Sequence, residues 1–465
     1  MAILHRRDFL ASGAAAANIL QAQETAALNG KPNILYIHSH DTGRYIEPYG
    51  APIPAPYLQK LAKGGMLFRR AFSAAPTCSP SRASLLTGQC AHSSGMLGLA
   101  HRGFSLHDYK QHILHTLRPA GYYSALVGVQ HIAKRPEVIG YDEIVKTKNT
   151  HVEEVAPAAV KFLNGKPKQP FFLDVGFQET HRVFRRPGPA EDVRYAQPPK
   201  PLPDTPQTRE DMAAFQATAR VLDQGVGEVL AALEKNGLAR NTLVISTTDH
   251  GIAFPGMKCN LTDHGIGISL IMRGPGGFSG GKVSNAMVSQ IDLFPTICDL
   301  VNVPHPMWLQ GKSMMPLVRG EAPDVNKEIN EEIFAEVSYH AAYEPKRAVR
   351  SQRWKFIQHF GDRTKPVLPN CDDGPSKTLW VENGWKNRTV APEELYDLVF
   401  DPNETRNLIA DAGTRKIAEE MRGRLNRWMR STNDPLLQGP VKAPSGAVVN
   451  DPDGLSPQEP TIAIP

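Results

Sequence analysis

The sequence predicts an α/β fold in which a large β-sheet is flanked by helices. Four short apolar runs are rich in branched and aromatic side chains and too short for helices, so they indicate buried strands: Asn33–Ile37, Phe171–Val175, Leu243–Ser246 and Ile268–Met272. Helix-period segments separate these runs. Strands that alternate with helices are typical of a layered α/β domain, which we expect over residues 30–335.

The clearest helix-period segment runs from about Glu210 to Asn236, where apolar residues recur at three- and four-residue steps. Thr208 and Asp211 predict a capping box at its start. Gly237 predicts its end, because glycine readily terminates a helix.

The pattern changes after about residue 335. Arg347–Arg350 and Trp354–Ile357 predict two strands of a hairpin, and an amphipathic helix is expected near Arg415–Met429. We therefore expect a smaller α+β subdomain over 336–435 that contains an antiparallel sheet. Residues 436–465 are rich in Pro, Gly, Ser and Asp and predict an irregular C-terminal tail.

The first 25 residues have the composition of an export signal. Paired arginines, Arg6 and Arg7, precede an alanine-rich stretch and a small residue near a plausible cleavage site. This order of features is typical of a bacterial twin-arginine signal, whereas a frayed helix with an incidental arginine pair is the alternative. Residues 1–25 therefore predict a periplasmic or secreted protein. The remaining sequence predicts no membrane attachment after cleavage, because no run approaches the roughly 20 apolar residues that span a bilayer.

Charge and cysteine content narrow the classes of function. A net charge of +5 over 465 residues gives no reason to expect nucleic acid, and it would not repel an anionic substrate. The five cysteines include no C-x-x-C pair, and their spacing demands neither a disulfide framework nor a zinc site. An exported protein could pair four of them, which leaves at least one unpaired.

Polar residues that handle metals and protons follow the predicted strands. His40 and Asp41 follow the first strand, His181 follows the second, and Asp249 and His250 follow the third. His131 follows a further apolar run that ends at residue 129. Ligands of α/β sheets gather beyond the carboxyl ends of the strands, so we expect these side chains to form one site.

Residues 78–88, CSPSRASLLTG, resemble the signature of the type I sulfatases. Other stretches, such as residues 94–99 and 251–255, are similar to the heparan N-sulfatase (sulfamidase) branch, and the likeness runs in order from about 31 to 436. The resemblance implies an alkaline-phosphatase-like sandwich with a central mixed sheet. It also implies that a maturase oxidises Cys78 to Cα-formylglycine, whose hydrated aldehyde supplies the nucleophilic oxygen.

The resemblance implies a role for each matching residue. Arg82 would hold the hydrated aldehyde, and a divalent cation, most simply Ca²⁺, would bind among Asp41, Asp249, His250, His40 and the modified Cys78. His131 matches a histidine that contacts the nucleophile, and His181 matches one near the leaving group. Lys258 occupies the position of a cation that stabilises charge developing on the sulfate.

Two positions depart from the family pattern. His40 replaces the first of two adjacent aspartates, and imidazole is a poor exchange for carboxylate at a calcium site. The site would then bind calcium more weakly, prefer a softer metal, or leave His40 outside the coordination sphere. Val129 replaces a lysine that would contact both nucleophile and sulfate, a loss of about 2 to 4 kcal/mol if nothing compensates. Five cationic or titratable side chains could compensate: Arg182, Arg185, Arg186, His264 and His340.

The function expected from these residues is hydrolysis of a sulfate ester or sulfamate on a carbohydrate, with N-sulfated glucosamine as the expected sulfated unit. A phosphodiesterase or phosphonate hydrolase of the same superfamily is one alternative. A sulfated-glycan binding protein that lost activity with Val129 is the alternative from another class. Expected partners are the sulfated carbohydrate and the maturase, and the sequence leaves a homodimer open.

Overall fold

The computed structural model describes residues 30–320 and 322–465. The predicted export signal, residues 1–25, lies outside them. Among the described residues, no helix is both long enough and apolar enough to cross a bilayer.

A nine-stranded mixed sheet forms the centre of the molecule, in the order β4-β3-β5-β1-β6-β8-β2-β7, with β9 paired to β2. Strands β4, β3, β5, β1 and β6 are parallel, and β8 runs antiparallel to β6. The strands of this sheet are β1 (Asn33–Ser39), β2 (Met66–Phe72), β3 (Tyr123–Gly128), β4 (Glu143–Val145), β5 (Phe171–Gly176), β6 (Thr242–Thr248), β7 (Gly267–Ile268), β8 (Leu270–Arg273) and β9 (Lys282–Ser289).

Helices cover both faces of this sheet, as the continuous apolar strands predict. The α-helices of the described residues are α1 (Pro56–Gly64), α2 (Cys78–Thr87), α3 (Ala91–Ser94), α4 (Ile113–Leu117), α5 (Val152–Asn164), α6 (Pro206–Lys235), α7 (Asp263–Ile266), α8 (Leu293–Val301), α9 (Pro375–Glu382) and α10 (Arg415–Ser431). Successive residues of β1 alternate between two cores: Ile34 packs with α2 and α8, and Leu35 packs with α1, α5 and α6. The carboxyl end of β1 is thereby fixed between two helical layers.

A second, antiparallel sheet has the order β10-β11-β12-β13. Its strands are β10 (Glu332–Tyr339), β11 (Tyr343–Ser351), β12 (Trp354–His359) and β13 (Glu393–Asp397). One face of this sheet packs on the central-sheet unit, where Val337 meets Phe72 of β2 in one apolar cluster. The other face is covered by α10 through Met421 and Leu425. The predicted hairpin and the helix near 415–429 are confirmed, and the predicted boundary at 335 falls inside β10.

The structure corrects three local predictions. Helix α6 begins at Pro206, one turn before the predicted start, and its capping box joins Thr205 and Thr208, so the box predicted from Thr208 and Asp211 is wrong. The run Ile268–Met272 is two strands, because the Ser269 amide leaves the ladder to donate to Gly43 O. The tail predicted as irregular contains a small sheet, β14 (Val448–Asn450) with β15 (Thr461–Ala463).

Candidate active site

Two parallel strands bring the predicted metal-binding residues together. His40 and Asp41 directly follow β1, and Asp249 and His250 directly follow β6. Ser39 and Thr248, the last residues of these strands, are paired in register. The residues that follow therefore lie side by side, and the Asp41 amide donates to Asp249 Oδ1 at 2.9 Å.

Cys78 is the first residue of the fully buried helix α2. Ser81, one turn later, donates from Oγ to the backbone oxygen of Asp249 at 2.6 Å, which fixes the start of α2 against the end of β6. Cys78 Sγ consequently lies 3.4 Å from His250 Nε2. Burial raises the pKa of the Cys78 thiol well above its usual value, so the unmodified side chain is a neutral thiol.

The side chains of His40, Asp41, Cys78 and Asp249 each direct one metal-binding atom into a common space, and these atoms lie within 4.8 Å of one another. His250 Nε2 is 3.4 Å from Asp41 Oδ1. Asp41 Oδ1 and both ring nitrogens of His40 are buried without a hydrogen-bond partner in the described chain. Because such orphaned polar atoms are costly, this donor set fits a divalent cation, with His40 inside the cluster.

Arg82 lies beside this cluster and is buried with it. Its guanidinium donates from Nη2 to Ser39 O and to Asp249 Oδ2, each at 3.0 Å. Burial opposes ionisation of both side chains, but their mutual attraction outweighs it. The pKa of Arg82 is accordingly raised, and His250 together with Arg82 holds the pKa of Asp249 well below its usual range.

Lys258 places a buried cation between two carboxylates. Its Nζ lies 2.9 Å from Asp41 Oδ2 and 2.9 Å from Asp372 Oδ2. His181 Nε2 is 3.4 Å from the same Nζ. Burial disfavours the charged ammonium, but Asp372 and Asp41 overcome that effect and raise the pKa of Lys258 well above its usual value. Lys258 is thus a fixed positive charge at the wall of the site.

Two histidines lie near His40 at the open side of the site. The ring of His131, which follows β3, is centred 5.8 Å from that of His40, and the ring of His181 is 5.5 Å from it. His131 also stacks on His101 at 5.1 Å, with its Nε2 2.9 Å from His101 Nδ1. His181 is partly exposed and lines a groove of about 440 Å³ that leads to solvent. The structure therefore brings every predicted site residue to one place.

The structure also separates the side chains suggested as replacements for a lysine at 129. Arg182 is held by Asp211 through two 2.7 Å contacts, His264 bonds to Tyr45 at 2.8 Å, and Arg186 is exposed. Arg185 lines the groove beside His181 but is paired with Glu179 at 2.9 Å. His340 lies near the site. Its burial and the nearby positive charge of Lys258 together hold the pKa of His340 well below its usual value. Within the chain as described, none of the three arginines of this group joins the metal-binding cluster.

Two site residues escaped the sequence reasoning, Asp372 and His101. Asp372 lies in a loop between β12 and α9, and His101 lies in a single 3₁₀ turn between α3 and α4. Neither follows a predicted strand or belongs to a motif. An acidic pair before a glycine, Asp372-Asp373-Gly374, is the one available signal, and it is common in ordinary turns.

The site combines a buried residue at a helix start, a cluster of side chains that could bind a divalent cation, and fixed positive charges, which suits attack on a tetrahedral oxyanion group. A sulfatase family model matches residues 32–303, and the chain belongs to the sulfatase family. It is therefore a hydrolase of sulfate esters or sulfamates. A second model, described as the C-terminal region of N-sulphoglucosamine sulphohydrolase, matches residues 257–391 and confirms the resemblance to that branch.

Individual relatives agree with this assignment. The chain is 31% identical to N-sulphoglucosamine sulphohydrolase of Homo sapiens, over 92% of this chain and 94% of the relative. It is 27% identical to an ulvan-active sulfatase of Formosa agariphila, over 91% of this chain and 84% of the relative. A solved structure described as a complex with its substrate D-glucosamine-2-N,6-O-disulfate superposes with a TM-score of 0.69 at 18% identity, covering 88% of this chain and 99% of the other. That structural likeness confirms the predicted alkaline-phosphatase-like fold.

Proposed function

We propose that the protein removes sulfate from a sulfated saccharide, with N-sulfated glucosamine as the preferred unit, through a formylglycine made from Cys78. The observation that carries the proposal is the position of Cys78, which lies at the start of α2 with its Sγ 3.4 Å from His250 and within the metal-binding cluster. A protonated, buried thiol is a weak nucleophile, whereas an aldehyde hydrate at the same position offers hydroxyl oxygens.

The choice of substrate rests on the relatives. The human relative carries the name of a sulphohydrolase of N-sulphoglucosamine, and the glucosamine disulfate in the structural neighbour carries a 2-N-sulfate. In the proposed reaction, water and the sulfamate yield a free amine and inorganic sulfate. The bond that breaks is the one between nitrogen and sulfur.

The side chains of the site have separable tasks in this reaction. Asp41, Asp249, His40 and His250 would hold a divalent cation, proposed to be Ca²⁺, which when bound supplies positive charge beside residue 78. Arg82 holds Asp249 in place through its 3.0 Å contact.

The remaining side chains serve proton transfer and charge stabilisation. His131 would accept a proton on the nucleophile side, and His181 would donate one to the leaving nitrogen. Lys258, 3.4 Å from His181 Nε2, would stabilise negative charge that develops between sulfate and leaving group.

Mass spectrometry of the peptide that contains residue 78 tests the mechanism, after co-expression with a formylglycine-generating maturase. We expect the aldehyde in the wild type and loss of turnover in Cys78→Ala. An unmodified cysteine together with full turnover in Cys78→Ala would exclude this mechanism.

A substrate panel tests the specificity. We expect sulfate release from N-sulfated glucosamine to exceed release from 2-O- and 6-O-sulfated sugars. Matched aryl sulfates and aryl phosphates separate a sulfatase from a phosphodiesterase or phosphonate hydrolase of similar fold. Faster phosphate release would overturn the proposal.

We further propose that the protein acts in the periplasm or outside the cell after twin-arginine export. The support is the sequence of residues 1–25, with its paired Arg6 and Arg7. This route carries folded proteins, so maturation and metal loading would precede export. Cell fractionation should show exported wild type and cytoplasmic retention of the Arg6→Lys, Arg7→Lys double variant; equal export of both would exclude this route.

A further inference from the structure

A second cavity, of about 390 Å³, lies directly behind the wall of the active site. The wall is formed by two pairs of chain neighbours. Lys258 and Asp372 contact each other inside the active site. Cys259, which follows Lys258, and Cys371, which precedes Asp372, line the cavity. Its volume is within the range of about 300–1,000 Å³ that is common for small-molecule sites.

The acidic groups that line the cavity, Glu344 and Glu394, already have partners within the protein. Glu344 accepts from Lys346 Nζ at 2.9 Å, and Glu394 contacts His359 Nε2 at 3.0 Å. Both carboxylates therefore already have a hydrogen-bond partner within the protein. That pairing weakens the repulsion that the acidic lining would exert on an anionic ligand.

The mouth of the cavity offers open hydrogen-bond donors and aromatic surface. Trp380 and Trp385 are partly exposed and meet edge to face at 5.1 Å. In the described chain, neither indole nitrogen has a hydrogen bond and the Arg388 guanidinium has no acidic partner. The same three side chains also line a second depression of about 340 Å³ on their other side. They form a ridge that a ligand longer than one ring would contact from both depressions.

We propose that this ridge and cavity form an accessory subsite for saccharide units farther along the substrate chain than the one being desulfated. Sugar rings present apolar faces to indoles, and their sulfate, carboxylate and hydroxyl oxygens match the unpaired donors. The proposal rests on the proposed function for the identity of the ligand. It adds that chain length is recognised by residues outside the catalytic cluster.

Trp385→Ala and Arg388→Gln test the subsite, because both side chains lie at the surface of the cavity. Phe400→Ala is the matched control, since Phe400 is 82% exposed and lies outside both depressions. For a heparin-derived N-sulfated tetrasaccharide we expect KM to rise about ten-fold in either test variant, with partial rescue by Arg388→Lys. For a small aryl sulfate, kcat/KM should stay within about two-fold of the wild type, a change below 0.5 kcal/mol.

Unchanged tetrasaccharide KM in both test variants would overturn the subsite, and so would equal losses on the aryl sulfate. Calorimetry with the Cys78→Ala background and the same tetrasaccharide separates this result from failure of the proposed function. Binding that is lost in Trp385→Ala supports the subsite even if the wild type releases no sulfate. Equal binding of the tetrasaccharide by Cys78→Ala and by the Cys78→Ala, Trp385→Ala double variant excludes the subsite.

Discussion

Lys258 Nζ and Asp372 Oδ2 lie 2.9 Å apart and join the two structural units at the active site. Lys258 follows β6 of the central sheet, whereas Asp372 belongs to the segment between β12 and β13 of the second sheet. The cation that we propose to act near the leaving group is therefore held by residues of both units. The unit built on the second sheet thereby contributes a residue to the candidate active site.

Asp372→Asn should lower kcat/KM about ten-fold, or about 1.4 kcal/mol, because it removes one of the two charges that hold Lys258. Steady-state kinetics on a small aryl sulfate measures the effect without involving the distant saccharide units. Asp373→Asn is the matched control, since Asp373 is exposed and pairs with Lys377 at 2.8 Å. Equal activity of the two variants would show that Lys258 is held well enough by Asp41 alone.

Val129→Lys should raise kcat/KM. The side chains that could have replaced a lysine at this position are mostly engaged elsewhere, such as Arg182 with Asp211 and Arg185 with Glu179. One added cation at a transition-state oxyanion stabilises it by about 2 to 4 kcal/mol in favourable geometry, which sets the upper limit of the gain. Single-turnover sulfate release measures it, with Val129→Met as the uncharged control. A loss of activity in the lysine variant alone would mean that a group already occupies this space.

His40→Asp should increase affinity for Ca²⁺ about ten-fold, because an oxygen ligand replaces an imidazole that calcium accepts poorly. The buried ring nitrogens of His40 lack hydrogen bonds, and Nδ1 is 3.2 Å from Asp249 Oδ2, so the exchange takes place inside the cluster. Titration calorimetry of chelator-treated protein with Ca²⁺ and with Zn²⁺ measures both affinities. The wild type should show the lower Ca²⁺-to-Zn²⁺ preference; equal preferences would place His40 outside the coordination sphere.

Strands β1, β5 and β6 could be predicted because each is a short run of apolar residues in the sequence. Ile34 and Leu35 face opposite cores, so β1 is apolar throughout and stands out in the sequence. The rule that ligands lie beyond parallel strand ends then placed Asp41 near Asp249, more than 200 residues away. The start of α6 was missed because Pro206 and the Thr205 cap precede the first apolar residue of the periodic pattern.

Asp372 and His101 could not have been found in this way. Each reaches the site through packing between distant segments, and neither lies on a periodic element. His101 contacts His131 through ring stacking, and Asp372 contacts Lys258 across more than 100 residues of chain. Local patterns carry no information on such contacts. The contact between Asp372 and Lys258 depends on how the second sheet docks against the first.

A buried ion cluster away from the active site should make stability fall at alkaline pH. His92 Nδ1 lies 3.0 Å from Glu336 Oε1 and 3.7 Å from Asp434 Oδ2, its Nε2 is 3.4 Å from Cys90 Sγ, and Arg347 pairs with Glu336 at 3.3 Å. Burial disfavours the imidazolium, but the neighbouring Glu336 outweighs that effect and raises the pKa of His92 to about 10. The pKa of Glu336 is lowered to about 2, since His92 and Arg347 overcome its burial.

Because the pKa of His92 is raised in the folded state, protonated His92 contributes its full stabilisation at pH values below its pKa in the unfolded state, near 6.5. This contribution is lost as the pH rises to about 10. We therefore expect the free energy of unfolding to fall between pH 7 and pH 9.5, by at most about 1.4 kcal/mol per pH unit from this group. Urea unfolding across this range measures the slope in the wild type and in His92→Gln. The variant should be less stable at pH 7 and should show a shallower decline; parallel slopes would mean that His92 is neutral in the folded protein.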